Sequence, residues 1–464
     1  MNRSDLFPYQ EHAAKFIREH KNCALWVDMG LGKTASTLTA FVDLKRNFEA
    51  SKMLVIAPKR VARKVWSDEI EAWEHLKHLR VSRIVGTAEE CFKAMQVDAD
   101  VYTIGRDRIQ WLHAQFILNG KQIVYWPWDV VVADESQTFA SQSSQRYQCL
   151  YDLRKMTKFP CMIELSGTPI PNGYMGLWSQ FKLLDNGKRL GDSELAMKQR
   201  WFTPPVGMFA KWSLRPRAER QIIERVKDIT LTLREEDYMT LPPIVDNFIR
   251  VQLSPAAMAT YKKFAREYVA EVRGQKLTAV NAGVLDGKLL QLANGACYHG
   301  DKHEWVQFHD AKLDALEETL EGLNGHRGLI AYAYKHDLAR ITARLEKQDQ
   351  PWTVLRSDRS FTEWASGKYT YGVLHPASAG HGLNEVYKAG VEDIIMFGMM
   401  NNYEWWAQVI ARIGGGHRRK GKNVRVHYIV ADGTRDDDYV KLIKRKEMTQ
   451  DNLMESTATL FAAP

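Results

Sequence analysis

The residues most suited to chemistry lie in a glycine-rich stretch that follows a short apolar run and precedes a helical pattern. Its glycines let backbone N–H groups close around phosphate oxygens, and the start of the following helix favours anions. Lys33 would reach the β and γ phosphates of a nucleotide, and the Thr34 hydroxyl would ligate Mg²⁺. Val27 stands where the strict pattern has its first glycine, so the match is to the Gly-x-Gly-Lys-Thr core. We predict a nucleotide site containing Asp28, Gly30, Leu31, Gly32, Lys33 and Thr34.

A second candidate is the carboxylate pair Asp134-Glu135, which directly follows the apolar run Val130–Ala133. Ligands of open α/β folds bind at the carboxyl ends of such buried strands. Asp134 is predicted to hold Mg²⁺, and Glu135 to orient and deprotonate an attacking water. An adjacent Asp-Glu pair alone is usually surface charge. The phosphate-binding stretch upstream is what favours the catalytic interpretation.

Two sets of apolar runs must position these residues. Runs of this length, separated by longer segments of helical period, predict buried parallel strands with crossover helices. The fold class is therefore expected to be α/β, with two parallel-sheet lobes at 1–240 and 241–464 and helical insertions between about Leu184 and Leu313. The runs are Cys23–Val27, Met53–Ala57, Asp100–Ile104, Val130–Ala133 and Met162–Leu165, followed by Gly328–Tyr332, Tyr371–Leu374, Asp393–Phe397 and Val424–Val430.

Composition narrows the class of protein. No apolar run approaches the length of a membrane helix, and the polar start of the chain does not resemble a signal segment, so no membrane partner is expected. The five cysteines are scattered and odd in number, which disfavours a disulfide framework or zinc ribbon and fits a reducing cytoplasm, in a bacterial or virus-infected cell. The net charge of +8 favours a polyanionic partner.

Beyond the two candidate sites, the order of motifs resembles that of superfamily 2 helicase-like ATPases, most closely the Swi/Snf-type translocases of double-stranded DNA. In that family the glutamine corresponding to Gln10 reads adenine, and the Ser-Gly-Thr-Pro segment couples the ATP state to lobe closure. The resemblance implies two RecA-like lobes. The further segments that carry it are Leu6–Gln10, Leu54–Trp73, Ser166–Asn172, Leu241–Pro243, Ala377–Asn384 and Gln408–Arg412.

The sequence departs from the family in two motifs. Gln137 stands where the family usually has a histidine after its acidic pair, and a glutamine can still donate and accept hydrogen bonds. In the arginine motif, Gln408 and Arg412 keep the family spacing, but glycines interrupt the next part. Anchoring on Arg-x-Gly selects Arg419 as the second catalytic arginine, whereas anchoring on His-Arg selects Arg418. We predict that Arg412 and Arg419 approach the γ-phosphate.

The resemblance implies an ATP- and Mg²⁺-dependent motor that moves along duplex DNA through phosphate contacts without sequence preference, and a monomer is expected. A strand-separating helicase of the same superfamily is the alternative enzyme. A degenerate ATPase acting as a DNA-binding scaffold is the alternative from another class, and the intact Lys33, Thr34, Asp134 and Glu135 argue against it.

One group of residues has types that can bind zinc, but we do not predict a zinc site there. The group consists of Cys297, His299, His303 and His309. Its irregular spacing in a segment rich in Gly, Asp and Lys fits a solvated loop better than a tetrahedral centre. The tryptophans, Trp126 among them, could stack on bases, but we expect most to pack in the cores.

Overall fold

The computed structural model describes residues 1–205, 212–238, 244–273, 279–299, 304–348, 350–379, 390–400, 402–414 and 423–457. These residues fall into two units. The first consists of Met1–Met239 together with the residues from Met448 onward, and the second consists of Thr240–Glu447. Each unit is built on a parallel sheet with helices in the crossovers, which confirms the predicted α/β class with two parallel-sheet lobes.

The described part of the first unit contains the following elements. Its strands are β1 (Asn22–Val27), β2 (Met53–Ala57), β3 (Val81–Ile84), β4 (Val101–Gly105), β5 (Ile117–Leu118), β6 (Lys121–Gln122), β7 (Val130–Asp134), β8 (Cys161–Ser166), β9 (Phe202–Thr203), β10 (Ser213–Leu214) and β11 (Thr230–Leu233). Its helices are α1 (Pro8–His20), α2 (Lys33–Arg46), α3 (Trp66–Ala72), α4 (Ala88–Gln96), α5 (Ile109–Phe116), α6 (Gln145–Thr157), α7 (Leu177–Asp185), α8 (Glu194–Trp201) and α9 (Ala218–Val226).

The central sheet of the first unit has seven parallel strands in the order β11-β1-β8-β7-β2-β4-β3. Strands β1, β2, β4, β7 and β8 coincide with the five predicted apolar runs, and helices cover both faces. Because β1, β8 and β7 are neighbours, the chain segments that leave their carboxyl ends emerge side by side. The order of strands therefore brings the glycine-rich stretch, the Ser-Gly-Thr-Pro segment and the acidic pair to one edge.

The described part of the second unit contains the following elements. Its strands are β12 (Ile244–Val251), β13 (Ala296–Tyr298), β14 (Trp305–Gln307), β15 (Gly328–Ala331), β16 (Trp352–Val354), β17 (Tyr371–Leu374), β18 (Asp393–Met396) and β19 (Val424–Ala431). Its helices are α10 (Pro255–Arg273), α11 (Ala279–Ala293), α12 (Ala311–Gly322), α13 (Lys335–Leu345), α14 (Asp358–Ala365), α15 (Pro376–Ala379), α16 (Tyr403–Gly414) and the start of α17 (Arg435–Thr457).

The sheet of the second unit has six parallel strands in the order β12-β19-β18-β15-β17-β16. A buried polar network ties its helices together. The Lys312 ammonium lies 2.5 Å from the Asp436 carboxylate, with both side chains fully buried, and it donates to Asn294 at 2.8 Å. Asn294 in turn donates to Asp337. Removing one member would leave a buried charge unpaired, at a cost of about 3–5 kcal/mol.

The end of the chain belongs to the first unit, although the sequence prediction placed 241–464 in one lobe. From Met448 onward, α17 groups with the first unit because its apolar residues Leu453 and Met454 are buried in that unit's core. Gln450 Oε1 accepts a hydrogen bond from the Ile170 backbone N–H at 3.3 Å. No helix among the described residues is both long and apolar enough to cross a bilayer.

Glu164 is an ionisable residue in the middle of the first unit's core. It lies on β8 between Ala24 of β1 and Ala133 of β7, its side chain is buried, and its Oε1 has no hydrogen-bond partner among the described residues. Burial raises the pKa of Glu164 well above its usual range. Burial therefore favours the protonated form of this carboxyl group in the folded protein.

Replacing this carboxyl by an amide should make the first unit more stable at high pH. Because the pKa of Glu164 is higher in the folded state than in the unfolded state, the wild type loses stability as the pH rises above about 4.5, by about 1.4 kcal/mol per pH unit. Glu164→Gln cannot ionise and escapes this loss. Thermal unfolding should show a higher Tm for the variant at pH 8 and a small difference at pH 4.5, with the exposed Glu71→Gln as control. A difference in Tm between the variant and the wild type that does not grow with pH would contradict the prediction.

Candidate functional site

The glycine-rich stretch forms a loop between β1 and α2 that only glycine fits at two positions. Gly30 and Gly32 have φ values of 94° and 80°, in the left-handed region that side chains disfavour. A Cβ at Gly32 would also lie 1.9 Å from Gln10 Nε2. Helix α2 begins at Lys33, directly after this turn, with Thr34 half-buried in its first turn. The loop therefore presents a helix N-terminus at the edge of the sheet.

Lys33 lies where this loop and the Ser-Gly-Thr-Pro segment approach each other. Its ammonium donates to the carbonyl oxygens of Val27 at 2.5 Å and Asp28 at 3.3 Å. A Cβ built on Gly167 would lie 3.7 Å from Lys33 Nζ, so the backbone of that segment passes close to the positive charge. The geometry places a cation between the carboxyl ends of β1 and β8.

Gln10 and Asp28, both predicted to bind nucleotide, brace the loop in this structure. The Gln10 amide donates to the Leu31 carbonyl at 3.4 Å and accepts from the Phe7 N–H at 2.9 Å. The Asp28 carboxylate accepts from the Glu235 N–H at 2.8 Å, just beyond β11, and burial raises the pKa of Asp28. Asp28 thus ties the loop to the edge of the sheet, with its carboxylate directed at the backbone of Glu235.

Asp134 ends β7 and is half-buried. Burial and the neighbouring charge of Glu135 raise the pKa of Asp134 to about 6, while a hydrogen bond from Trp66 and the charge of Lys33 act in the opposite direction. The Trp66 indole N–H donates to Asp134 Oδ2 at 3.2 Å. Trp66 is fully buried at the start of α3, so this donor is held in place by packing. Trp66 lies within the motif segment Leu54–Trp73, but its contact with Asp134 could not be predicted from the sequence.

Glu135 has a backbone conformation that is costly for a residue with a side chain. Its φ and ψ are 56° and 57°, in the left-handed region, where strain of about 1–2 kcal/mol is expected. The following turn, Ser136–Phe139, compensates by fixing the carboxylate. Gln137 Nε2 donates to Glu135 Oε2 at 2.7 Å, and Gln137 Oε1 accepts from the Ser166 hydroxyl at 2.7 Å. Strained residues held by their surroundings are typical of functional sites.

Gln137 therefore joins the acidic pair to the Ser-Gly-Thr-Pro segment in the role expected of the family histidine. A second connection runs beside it. The Ser136 hydroxyl donates to Gln180 Oε1 at 2.9 Å, and Gln180 Nε2 donates to the Pro169 carbonyl at 3.0 Å. All of these side chains are buried, which strengthens their hydrogen bonds. Gln180 on α7 belongs to no motif, and only its hydrogen bonds in the structure show that it belongs to this connection.

The remaining predicted residues lie in the second unit or outside the described residues. Gln408 is buried in α16, which ends at Gly414 with Arg412 in its last turn. Arg418, Arg419 and the stretch 380–384 of the Gly-x-Gly-Leu-Asn motif lie outside the described residues. So do His303 and the Leu-Pro-Pro segment 241–243. Across the described ranges, no three Cys, His, Asp or Glu residues come together as a metal site.

A parallel α/β unit with a phosphate-binding loop and an acidic pair at the same edge of its sheet, followed by a second parallel α/β unit, defines a helicase-like ATPase. Residues 9–298 match the SNF2-related domain. The chain belongs to the SNF2-related family, and its use of ATP follows from that membership.

Relatives of this chain include a phage protein and larger helicases. It is 34% identical over 464 residues to putative protein p41 of Acyrthosiphon pisum secondary endosymbiont phage 1, which covers 97% of this chain and 98% of the phage protein. It is 21% identical to the putative ATP-dependent helicase/translocase YwqA of Bacillus subtilis, over 98% of this chain and 49% of that relative. The chain thus spans about half the length of YwqA.

Among solved structures, the chain is similar to the Sulfolobus solfataricus SWI2/SNF2 ATPase core in complex with dsDNA. The identity is 20%, the TM-score is 0.44, and the alignment covers 97% of this chain and 93% of that chain.

Removing the Gln137 amide should slow ATP hydrolysis more than it weakens ATP binding. Gln137→Ala breaks a hydrogen bond to a carboxylate, worth about 1.5–3 kcal/mol, which corresponds to about 10- to 100-fold in kcat. Steady-state ATPase assays should show this loss with little change in KM, and Gln137→His should recover part of it. The exposed Gln96→Ala is the control. Wild-type kcat in Gln137→Ala would show that the bridge has no role in turnover.

Proposed function

We propose that this protein is a DNA-dependent ATPase that translocates along duplex DNA without separating the strands. The observation that carries the ATPase part is the meeting of Lys33, Asp134 and Glu135 at the carboxyl ends of β1 and β7, with Ser166 on the strand between them. The hydrogen-bonded bridge through Gln137 supports coupling between hydrolysis and the Ser-Gly-Thr-Pro segment. A scaffold without turnover would need neither the strained Glu135 nor its supports.

The residues present fit Mg²⁺ and the triphosphate of ATP. Asp134 offers a half-buried carboxylate and Thr34 a hydroxyl, and hard oxygen donors of this kind suit Mg²⁺. Such an ion takes its other ligands from phosphates and water, so one protein carboxylate is sufficient. Bound Mg²⁺ would neutralise phosphate charge. Lys33 and the loop N–H groups would bind the phosphates, and Glu135, oriented by Gln137, would accept the proton of the attacking water.

A basic segment beside this site supports contact with DNA phosphates. Between β2 and α3 the chain forms a π-helical turn, Val61–Val65, flanked and lined by the exposed cations of Lys59, Arg63 and Lys64. The Thr103 hydroxyl, on the strand β4 beside β2, donates a hydrogen bond to the Ala62 carbonyl at 2.6 Å and so holds this turn in place. Cationic side chains that are flexible but are carried by a rigid backbone suit phosphate binding that does not depend on sequence.

The same segment is connected to the nucleotide site. The π-helical turn runs directly into α3, whose first residue, Trp66, donates to Asp134. A change in the turn on binding DNA would therefore reach the carboxylate proposed to hold Mg²⁺. This connection gives a physical reason to expect that DNA stimulates hydrolysis.

Duplex DNA is expected to stimulate hydrolysis, and added salt to reduce the stimulation steeply, because phosphate contacts release counterions. The measurement is ATPase activity without DNA, with single-stranded DNA and with duplexes of unrelated sequence, beside displacement of a triplex-forming strand. Triplex displacement without unwinding supports translocation, whereas unwinding of a forked duplex would favour the strand-separating helicase. Equal activity with and without nucleic acid at low salt would contradict the proposal.

A further inference from the structure

A second strongly basic surface lies in the first unit, on α8, α9 and the turn before α9. Between positions 198 and 227 the chain has eight Lys and Arg residues and two acids. Both acids are engaged, since Glu219 accepts a hydrogen bond from Tyr174 and Glu224 pairs with Lys227 at 2.7 Å. Lys198 also pairs with Glu194 of α8, so the uncompensated positive charge of this surface belongs mainly to its arginines.

Four arginines of this surface line one open pocket of about 440 Å³, together with Gln221 and Glu224. All four are exposed, and among the described residues none has a carboxylate within 4.0 Å. Other arginines of this unit differ, as Arg189 pairs with two aspartates. We refer to the four as the arginine pocket: Arg200, Arg217, Arg220 and Arg225.

Two of these guanidinium groups are held in place by a buried aromatic ring. Arg200 and Arg225 lie 4.8 Å and 5.8 Å from the centroid of the Trp201 ring. The Trp201 indole N–H donates to Gln221 at 3.0 Å, which fixes the ring itself. Cation–π contacts of this kind orient a guanidinium while leaving its N–H donors available. Arg225 Nη1 donates to the Arg189 carbonyl at 3.3 Å, and the other guanidinium N–H groups of the pocket are left for an anionic partner in the part of the chain that the structure describes.

We propose that the arginine pocket binds the phosphate backbone of nucleic acid, as a contact separate from the basic segment at Val61–Val65. Guanidinium groups match phosphate oxygens in a bidentate manner, and clustering them without carboxylate partners of their own costs stability unless an anion is bound. A small free anion would be held by buried, convergent donors, whereas these donors are exposed. Exposed guanidinium groups suit an extended polyanion, because binding its phosphates releases counterions and is weakened by added salt. This inference rests on the proposed binding of DNA and adds a contact region to it.

The test compares two charge-matched triple variants for binding of a fluorescent duplex. The first combines Arg200→Gln, Arg217→Asn and Arg220→Gln, where asparagine suits the φ of 65° at position 217. The second combines Lys15→Gln, Lys121→Gln and Lys155→Gln at exposed positions elsewhere on the unit. Fluorescence anisotropy without nucleotide gives the affinity of each at several salt concentrations.

The arginine variant should bind duplex about tenfold or more weakly than the control, and its slope of log affinity against log salt should be shallower by about two to three. Its Tm without DNA should equal or exceed that of the wild type at low salt, since repulsion is relieved. Should the triple variant fold poorly, Arg220→Gln alone should reduce the slope by about one.

The outcomes separate this inference from the proposed function. If both triple variants bind duplex equally well, and DNA binds and stimulates the wild type, the proposal for the arginine pocket is overturned and the proposed function is not. A wild type that binds no duplex overturns both. Loss of binding to tripolyphosphate or to polyglutamate in the arginine variant, with duplex binding intact, would identify a small anion or an acidic protein segment as the ligand and likewise overturn it.

Discussion

Glu135→Gln is expected to bind ATP about as well as the wild type and to hydrolyse it about 100- to 10,000-fold more slowly. The amide keeps the size of the side chain and can still bond to Gln137, which donates to Glu135 at 2.7 Å. What it loses is the ability to accept a proton from water. Fluorescent-nucleotide binding and phosphate release should separate the two effects.

Lys33→Ala should behave differently, because the lost ammonium would bind phosphate charge in both the ground state and the transition state. Binding and turnover should fall together in that variant. The exposed Glu89→Gln serves as the control for a charge change elsewhere on the unit. Wild-type turnover in freshly purified Glu135→Gln would remove Glu135 from the mechanism.

The second large effect is expected at the arginine motif, where Arg412→Ala should lower DNA-stimulated turnover by about a thousandfold or more, the usual worth of an arginine finger. In the described residues α16 reaches Gly414, the first of three consecutive glycines. Arg412 therefore lies on a regular helix, whereas the second arginine follows the glycines.

Alanine substitutions at the two following arginines test the register proposed for this motif. Arg419→Ala should be as damaging as Arg412→Ala, and Arg418→Ala should retain most activity in the same phosphate-release assay at saturating duplex. The reverse ranking of positions 418 and 419 would show that His-Arg, not Arg-x-Gly, marks the second finger.

The central strands of both sheets could be predicted because burial on both faces selects continuous apolar runs. Met53–Ala57 and Tyr371–Leu374 have the predicted bounds, and others differ by a residue or so. Strands β3, β11 and β12 lie at sheet edges and mix polar with apolar residues, so their composition resembles that of the surrounding segments. For this reason β11 and β12 fall within the stretch expected to be helical insertions.

The candidate site was predictable where a short motif specifies both residue type and local backbone. Lys33, Asp134 and Glu135 follow the carboxyl ends of β1 and β7, at the same edge of the sheet. Their supports were not predictable, because Trp66 and Gln180 reach the site through tertiary packing alone. The same holds for Asp28, whose bond to the Glu235 backbone joins residues 207 positions apart.

The return of α17 to the first unit sets an order for folding during synthesis. Leu453 and Met454 fill part of the core that also contains Trp26 and Phe181, so the ribosome must deliver the whole second unit before the first can close. Until then the nascent first unit exposes an apolar surface that these residues later cover, the kind of surface that chaperones bind. Release of a chain truncated before residue 453 would leave that surface permanently open.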